Sequence, residues 1–393
     1  MLPSYFEFHN PVKIVSGHKA LDNLPYELSQ MGVTRPLIVT DKGVVGAGLI
    51  RIVQEAFGSS GMTIGAIYED VPPDSSVDVV NTIAEVYRAN GCDSLVAVGG
   101  GSPIDTAKGV NIVVSHDKGD LKDYMGADRL TGPLKPLVVV PTTAGTGSEV
   151  TLVAVIADTR KNVKMAFVSR HLLPDLALID PRMTLTMPAK ITAATGMDAL
   201  SHAMEAYTCL QKNPLSDAHA TAAISLISRY LPVAVENGED ATARLALANA
   251  SCMAGAAFSN SMVGMVHALG HAAGAVSHIP HGVAMGIFLP HGLAYNLPER
   301  AQYISELLLP FAGADIYAST PAKNRPERLL ESLHTLQKAL EKKCGLPMRL
   351  KDAGAREEHL EEIALKAIND GALMMNPKEM DIEDAKAILK KAF

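Results

Sequence analysis

The first half of the chain alternates short apolar runs with longer amphipathic stretches. Runs rich in β-branched residues predict four strands, at Pro36–Thr40, Thr63–Tyr68, Ser94–Val98 and Leu137–Val140, and the third of these is predicted to be buried. Helical spacing of apolar residues predicts helices at Leu49–Phe57, Val77–Asn90 and Ile104–Val114. Strand–helix alternation of this kind predicts βαβ units, and therefore a mostly parallel sheet with helices on both faces.

The pattern changes near residues 185–190. Val150–Ile156 and Leu176–Ile179 still predict strands, but from Pro188 onward the chain is rich in Ala, Leu and Met at helical spacing. Helices are predicted at Lys190–Cys209, Asp217–Tyr230, Ala241–Ser259, Pro326–Lys343, Arg356–Asp370 and Ile382–Lys391. We therefore expect an α/β domain over residues 1–187 and an all-α domain over 188–393, with the active site in the cleft between them.

Three short segments carry further structural predictions. Pro and Gly at Ile279–His281 and at Leu289–Gly292 predict loops between helices. Lys13–Val15 is a candidate edge strand that could pair across a dimer, so we expect a homodimer or a higher homo-oligomer.

Composition narrows the class of protein. The 393 residues are 48% hydrophobic and 20% charged, which is typical of a soluble globular chain with a large core. A net charge of −7 without a long basic cluster argues against a nucleic-acid partner. No apolar run approaches the ~18 residues that span a bilayer, and the N-terminus lacks a secretory pattern, so we expect no membrane association and a cytoplasmic location. The four cysteines are scattered without a CxxC pair, which predicts reduced thiols.

Candidate metal chemistry begins at Asp198 and His202. They lie four residues apart in a predicted helix, so both side chains share one face. A carboxylate and an imidazole aimed at one point form half of a metal site, although an isolated pair of this kind is more often structural.

A second cluster supplies more imidazoles. Four of the 13 histidines lie within fifteen residues, among Gly and Ala: His267, His271, His278 and His281. Buried imidazoles need polar partners, and one cation can satisfy several of them. Spacing alone favours His267 with His271 as the ligating pair, because they too are four residues apart.

Two loops have the composition of phosphate-binding turns. The segment GGGSPIDTAKG, from Gly99, follows a predicted strand and opens a helix, so its amides could face an anion; a tight turn without a ligand is the alternative. The segment PTTAGTGSEVT, from Pro141, interleaves hydroxyls with Gly and could bind phosphate or ribose, or simply bond its own backbone. Asp41, after the first strand of the alternation, is either a turn residue or an acceptor for a ribose hydroxyl that would favour NAD over NADP.

These two loops, with ATGMDALSHAMEAY and GMVHALGHAAGAVSHIPHG, resemble the iron-containing (group III) alcohol dehydrogenases over nearly the whole chain. The resemblance implies a Rossmann-like N-terminal domain that binds the dinucleotide, and a helical domain that binds metal and substrate. It implies metal ligands Asp198, His202, His267 and His281, and places His271 near the nicotinamide and the reacting carbon. There His271 is our candidate for the catalytic proton relay to solvent. The resemblance also implies the cofactor-binding positions Asp41, Gly100, Gly101, Ser102, Asp105, Thr142, Thr143, Thr146, Thr151 and Lys164.

The expected activity is a reversible hydride transfer between NAD and a primary or short-chain alcohol or diol, giving the aldehyde. Fe²⁺ is favoured by the resemblance alone, because oxygen and imidazole ligands accept Zn²⁺ and other divalent ions as well. Hydroxyacid–oxoacid transhydrogenation is an alternative activity. A dehydroquinate-synthase-like lyase is less favoured, because residues 193–292 contain only Lys212, Arg229 and Arg244 as cations.

Overall fold

A computed structural model describes residues 3–58, 60–116, 120–160 and 163–393. The chain forms two compact units. One is an α/β unit, His9–Thr186; the other is a helical unit, Met187–Phe393, which also includes the N-terminal segment that ends at Phe8. In the helical unit the ring of Phe8 stacks on His219 with 5.4 Å between centroids.

The α/β unit is built on a six-stranded parallel sheet. Its strands are β1 (Lys13–Ser16), β2 (Pro36–Val39), β3 (Ala66–Tyr68), β4 (Ser94–Gly99), β6 (Leu137–Pro141) and β9 (Leu176–Ile179), in the spatial order β1-β9-β6-β4-β2-β3. The helices are α1 (Leu24–Gln30), α2 (Lys42–Gly46), α3 (Leu49–Phe57), α4 (Val77–Ala89) and α5 (Gly101–Ser115). The predicted parallel α/β fold is confirmed.

Buried side chains alternate between the two faces of this sheet. Leu37 and Val39 of β2 pack in one core with Ile83 of α4 and Ile104 of α5. Ile38, between them, packs in a second core on the opposite face. Because both faces are covered, the central strands appear in the sequence as continuous apolar runs rather than as alternating ones.

A smaller sheet in the same unit was not predicted. It contains β5 (Gly126–Ala127), β7 (Val153–Asp158) and β8 (Val163–Val168), with β7 and β8 antiparallel. The candidate edge strand at Lys13 does lie at an edge of the main sheet, where β1 pairs in parallel with β9 of the same chain.

The helical unit contains nine helices in the part of the chain that the structure describes. They are α6 (Ala189–Thr208), α7 (Pro214–Glu236), α8 (Ala241–Ser259), α9 (Met265–Ser277), α10 (His281–Ala312), α11 (Ala314–Ser319), α12 (Arg325–Cys344), α13 (Leu360–Ala367) and α14 (Ile382–Ala392). None of the helices in the described residues combines the length and apolarity that crossing a bilayer requires.

One predicted loop is wrong. Leu289–Gly292 lies inside α10, which continues through Pro290 and departs from helical geometry only at Arg300, two residues after Pro298. A proline inside a helix removes one hydrogen bond, and packing of the apolar face of α10 against α6, α9 and α12 compensates for the loss.

Candidate metal centre and cofactor loops

Helix α6 carries three inward-facing polar side chains on one face. Asp198, His202 and Glu205 are spaced by four and three residues, and each is almost fully buried. A surrounding of Ala, Met and Leu makes this part of α6 apolar, so each of these groups needs a specific partner.

Helices α9 and α10 bring histidines to the same point. His267 and His281 each place a ring nitrogen near Asp198 and His202, and the four ligand atoms lie within 4.8 Å of one another. His281 Nε2 lies 3.2 Å from Asp198 Oδ1. In a tetrahedral site with metal–ligand bonds of about 2.1 Å, the ligand atoms lie about 3.4 Å from one another, so the most widely separated of the four atoms would move closer by up to about 1.4 Å when an ion binds.

One of these ring nitrogens tests the fit of a cation directly. His267 Nε2 is buried and lacks a hydrogen-bond partner among the residues that the structure describes. Native proteins seldom leave buried polar atoms unpaired. A metal ion held by one carboxylate and three imidazoles would satisfy the cluster, so the donor set fits a divalent cation.

The protonation states of the cluster also suit a cation. Burial lowers the pKa of His202 to about 3 and that of His267 well below its ordinary value, so both rings are neutral at pH 7. Burial opposes ionisation of Asp198, yet the facing rings of His202 and His281 outweigh it and lower the pKa of the carboxyl. Neutral imidazoles and an ionised carboxylate are the forms that bind metal.

Close packing at Gly282 places His281 in the cluster. A β-carbon on Gly282 would lie only 2.4 Å from the carbonyl oxygen of Ala194, a backbone atom of α6. Only glycine lets the first turn of α10 approach α6 this closely. The adjacent His281 therefore reaches Asp198.

Glu205 is a functional candidate that the sequence analysis missed. Its carboxylate hydrogen-bonds to Nδ1 of His267 and accepts from the backbone amide of Val266 at 2.8 Å. Burial raises the pKa of Glu205 to about 7. The signal was present in the sequence, because Glu205 follows Asp198 by seven residues and His202 by three, on one helix face.

His271 lies beside the four-residue group but outside it. Its Nδ1 is 3.0 Å from Asp370 Oδ2, and its ring stacks on that of His281 with 5.4 Å between centroids. The side chain is 45% exposed, so it has access to solvent. His278 ends α9 in the left-handed backbone conformation.

The loops predicted to bind the cofactor lie at the carboxyl ends of three adjacent strands of the α/β unit. Asp41 follows β2, Gly100–Ser102 follow β4, and Thr142–Thr146 follow β6. The loops after β4 and β6 are in contact. The amide of Thr142 donates to the carbonyl of Gly99. A β-carbon on Gly100 would lie 3.2 Å from Thr143, and one on Gly101 would lie 3.2 Å from Thr146. This edge, between strands whose connections diverge, is where open α/β sheets bind ligands.

Side chains in these loops have definite local roles. Asp41 is the N-cap of α2 and accepts from the amide of Val44 at 2.9 Å. Ser102 Oγ donates to the carbonyl of Pro73, and Lys164 on β8 donates to Asp74 at 2.7 Å. A ribose or phosphate contact would come in addition to these bonds.

Lys108 is a buried residue with a structural role that was not predicted: it holds the segment from Ser148 to Val153 by hydrogen bonds. Its fully buried ammonium donates to Ser148 Oγ, to both oxygens of Thr151 and to the carbonyl of Val153. Burial lowers the pKa of Lys108 to about 8. Both oxygens of Asp105 accept internally, from Ser148 Oγ and from the amide of Val155. The assignment of Asp105 and Thr151 as cofactor contacts stays a prediction.

Comparisons with known proteins agree with this architecture. The family described as "Iron-containing alcohol dehydrogenase" matches residues 11–181, and "Fe-containing alcohol dehydrogenase family, C-terminal" matches residues 192–393. The chain is 38% identical to the NAD-dependent methanol dehydrogenase of Bacillus methanolicus, over 98% of this chain and 99% of that protein. It is 37% identical to the 1,3-propanediol dehydrogenase of Klebsiella pneumoniae, over 99% of each chain.

A solved structure supports the same relationship. The crystal structure of a 1,3-propanediol oxidoreductase superposes with a TM-score of 0.94 at 36% identity, over 99% of this chain and 100% of that one. The chain therefore belongs to the iron-containing alcohol dehydrogenase family and is an oxidoreductase of alcohols and aldehydes.

Proposed function

We propose that this protein is a metal-dependent dehydrogenase that interconverts a short-chain primary alcohol or diol plus NAD⁺ with the aldehyde, NADH and a proton. The observation that carries the proposal is the convergence of Asp198, His202, His267 and His281, with an unpaired buried nitrogen on His267. Relatives named for methanol, 1,3-propanediol and lactaldehyde support a small substrate.

The four side chains are the proposed ligands of one divalent ion. When bound, such an ion supplies Lewis acidity that stabilises developing negative charge on the substrate oxygen. Asp198 contributes the single negative charge, and the three neutral rings leave the centre a net positive charge. Fe²⁺ is the proposed ion because of the family, and Zn²⁺ fits the same donors.

The residues at the carboxyl ends of β2, β4 and β6 are the proposed NAD site. The first turn of α5, with Gly100, Gly101 and Ser102, presents amides and a helix dipole suited to the pyrophosphate. Thr142, Thr143 and Thr146 line the neighbouring loop, and Lys164 adds a cation held by Asp74. Asp41 would accept from a ribose hydroxyl and repel a 2′-phosphate, which favours NAD over NADP.

His271 is the proposed proton relay. Asp370 accepts from its Nδ1, while its half-exposed ring lets the proton reach solvent. We expect His271→Ala to lower kcat about 100-fold and to leave bound metal unchanged, as measured by steady-state kinetics and elemental analysis. Metal loss on the scale of His267→Ala would instead make His271 a ligand.

The direct test measures metal and turnover together. Protein purified without air is analysed for metal and then assayed for NADH formation with ethanol, 1,3-propanediol and 1,2-propanediol. We expect about one divalent ion per chain and turnover with at least one alcohol, both lost in His267→Ala. A metal-free parent protein with full activity would contradict the proposal.

Two further activities are less well supported. Lyases that act on multiply anionic substrates need free cations, but Arg244 is buried and donates to Met187, Thr192 and Gly238, while Lys212 pairs with Asp217. Hydroxyacid–oxoacid transhydrogenation uses the same hydride chemistry, and replacing free NAD by an oxoacid acceptor in the assay distinguishes it.

Assembly and location are also proposed. We expect a homodimer or a higher homo-oligomer in the cytoplasm. Light scattering coupled to size-exclusion chromatography measures the oligomeric state.

A further inference from the structure

The start of α9 depends on a carboxylate from another helix. Its N-cap, Gly264, has no side chain to satisfy the first amides. Glu205 of α6 accepts from the amide of Val266, and Asn376 accepts from that of Met265. A negative charge near the N-terminus of a helix also interacts favourably with the positive end of the helix dipole. Glu205 therefore fixes the turn of α9 that carries His267.

The same carboxylate determines which nitrogen of His267 carries the proton. One oxygen of Glu205 accepts from Val266, and the other faces Nδ1 of His267. When Glu205 is ionised it can only accept, so Nδ1 is then the protonated nitrogen, as metal binding through Nε2 requires. Nε2 is then left with a free lone pair, buried and aimed into the cluster.

We propose that Glu205 is a positioning residue that holds His267 in its metal-binding tautomer and orientation while anchoring the first turn of α9. The inference rests on the proposed metal site. Carboxylates in this position typically contribute about 10–100-fold to metal affinity.

Glu205→Gln is the sharpest variant, because glutamine has one acceptor oxygen for two donors. If the amide oxygen accepts from Val266, the NH₂ group faces Nδ1 of His267 and cannot accept its proton. The ring then favours the tautomer with a protonated Nε2, which cannot bind metal. The volume of the side chain is unchanged.

The experiment measures the dissociation constant for Zn²⁺ of the full-length, metal-stripped protein, by competition with a chromophoric chelator. We expect Glu205→Gln to weaken Zn²⁺ binding by about 10–100-fold with an unchanged far-ultraviolet circular dichroism spectrum. The matched control is Glu306→Gln, which alters a carboxylate that bonds to Tyr207 and Gln302 instead. It should bind Zn²⁺ like the parent.

Equal Zn²⁺ affinity in Glu205→Gln and the parent overturns the inference, as does an equal loss in Glu306→Gln. If Glu205→Gln does not fold, Glu205→Asp decides the question, because it keeps the charge but withdraws both acceptors by one methylene. Affinity equal to the parent in Glu205→Asp then overturns the inference. A parent protein that binds Zn²⁺ no better than His267→Ala instead removes the proposed metal site, and this inference with it.

Discussion

Individual buried charges have quite different effects in the two units. In the helical unit, Asp198 is ionised beside imidazoles, so its charge is available for a cation. In the α/β unit, Glu149 is buried near Lys108, and burial raises its pKa to about 7. Asp41, by contrast, is only partly buried and caps a short helix. These three carboxyls therefore lead to different expectations for activity and stability.

Asp41→Asn should relax the preference for NAD while keeping the fold, because an amide oxygen can still accept from Val44. Removing the charge removes repulsion of a 2′-phosphate. We expect the ratio of kcat/KM for NAD to that for NADP to fall about tenfold, which corresponds to about 1.4 kcal/mol. The exposed carboxyl of Glu55 serves as the control through Glu55→Gln. An unchanged ratio in Asp41→Asn would exclude Asp41 from the ribose site.

Glu149→Gln should stabilise the protein above neutral pH. The folded-state pKa of Glu149 lies above its ordinary value of 4.5, so the folded protein binds more protons between pH 4.5 and about 7. The free energy of unfolding therefore loses a contribution as the pH rises through that window. We expect the variant to gain about 1–3 kcal/mol over the parent at pH 8 and nothing at pH 4.5.

Urea denaturation of both proteins at the two pH values measures this difference. Glu85→Gln, on the exposed side of α4, should show no such pH dependence. A constant difference between parent and Glu149→Gln across the range would contradict burial as the cause.

Helix α10 shows how packing of an element positions a site. Its first turn contacts α6 through Gly282, which has no room for a β-carbon, and this contact carries His281 to Asp198. One turn later, a β-carbon on Gly286 would meet only the side chain of Met197, at 3.3 Å. Gly282 therefore approaches the backbone of α6, whereas Gly286 approaches only a side chain of α6.

Gly282→Ala should displace the start of α10 and weaken Zn²⁺ binding at least about tenfold, since loss of one ligand position affects the whole centre. Gly286→Ala is the matched control on the same helix and should bind Zn²⁺ nearly as well as the parent. Chelator competition measures both. Tighter or equal binding in Gly282→Ala would show that the close approach is dispensable.

The sequence predicted the elements unevenly, and for physical reasons. Buried parallel strands such as Ser94–Val98 stand out as apolar runs, and the βα order specifies their arrangement. The prolines of α10 predicted a loop because local propensity cannot anticipate the packing that keeps Pro290 helical. The convergence of Asp198 with His202 follows from helical spacing, but the partnership of Glu205 with His267 joins residues 62 positions apart, which spacing cannot show. The hydrogen bonds of Lys108 were not predicted for the same reason, since its partners lie 40 or more residues away.

The whole molecule separates two binding tasks between two compact units. The proposed ligands all lie in Met187–Phe393, whereas the proposed cofactor loops all lie in His9–Thr186. Each ligand should therefore stabilise its own unit first, because it binds folded segments of that unit only.

Hydrogen exchange with each ligand separately tests this division. Zn²⁺ at about 100 times its dissociation constant should stabilise the folded state by about 2.7 kcal/mol and slow exchange in α6, α9 and α10. NAD should slow exchange in residues 99–106 and 141–151. His281→Ala should abolish the Zn²⁺ effect, whereas His334→Ala, an exposed histidine on α12, should retain it. Zn²⁺ protection confined to residues 99–151 would contradict the assignment.

The stacking of Phe8 on His219 has a consequence for biosynthesis. The segment that ends at Phe8 is synthesised before the α/β unit, but it packs with a unit whose remainder is synthesised after the α/β unit. At about 5–20 residues per second, roughly 10–40 s separate the emergence of Phe8 from that of its partner ring. Throughout that interval the ring of Phe8 lacks its partner on α7, and chaperones would encounter this segment in an exposed form.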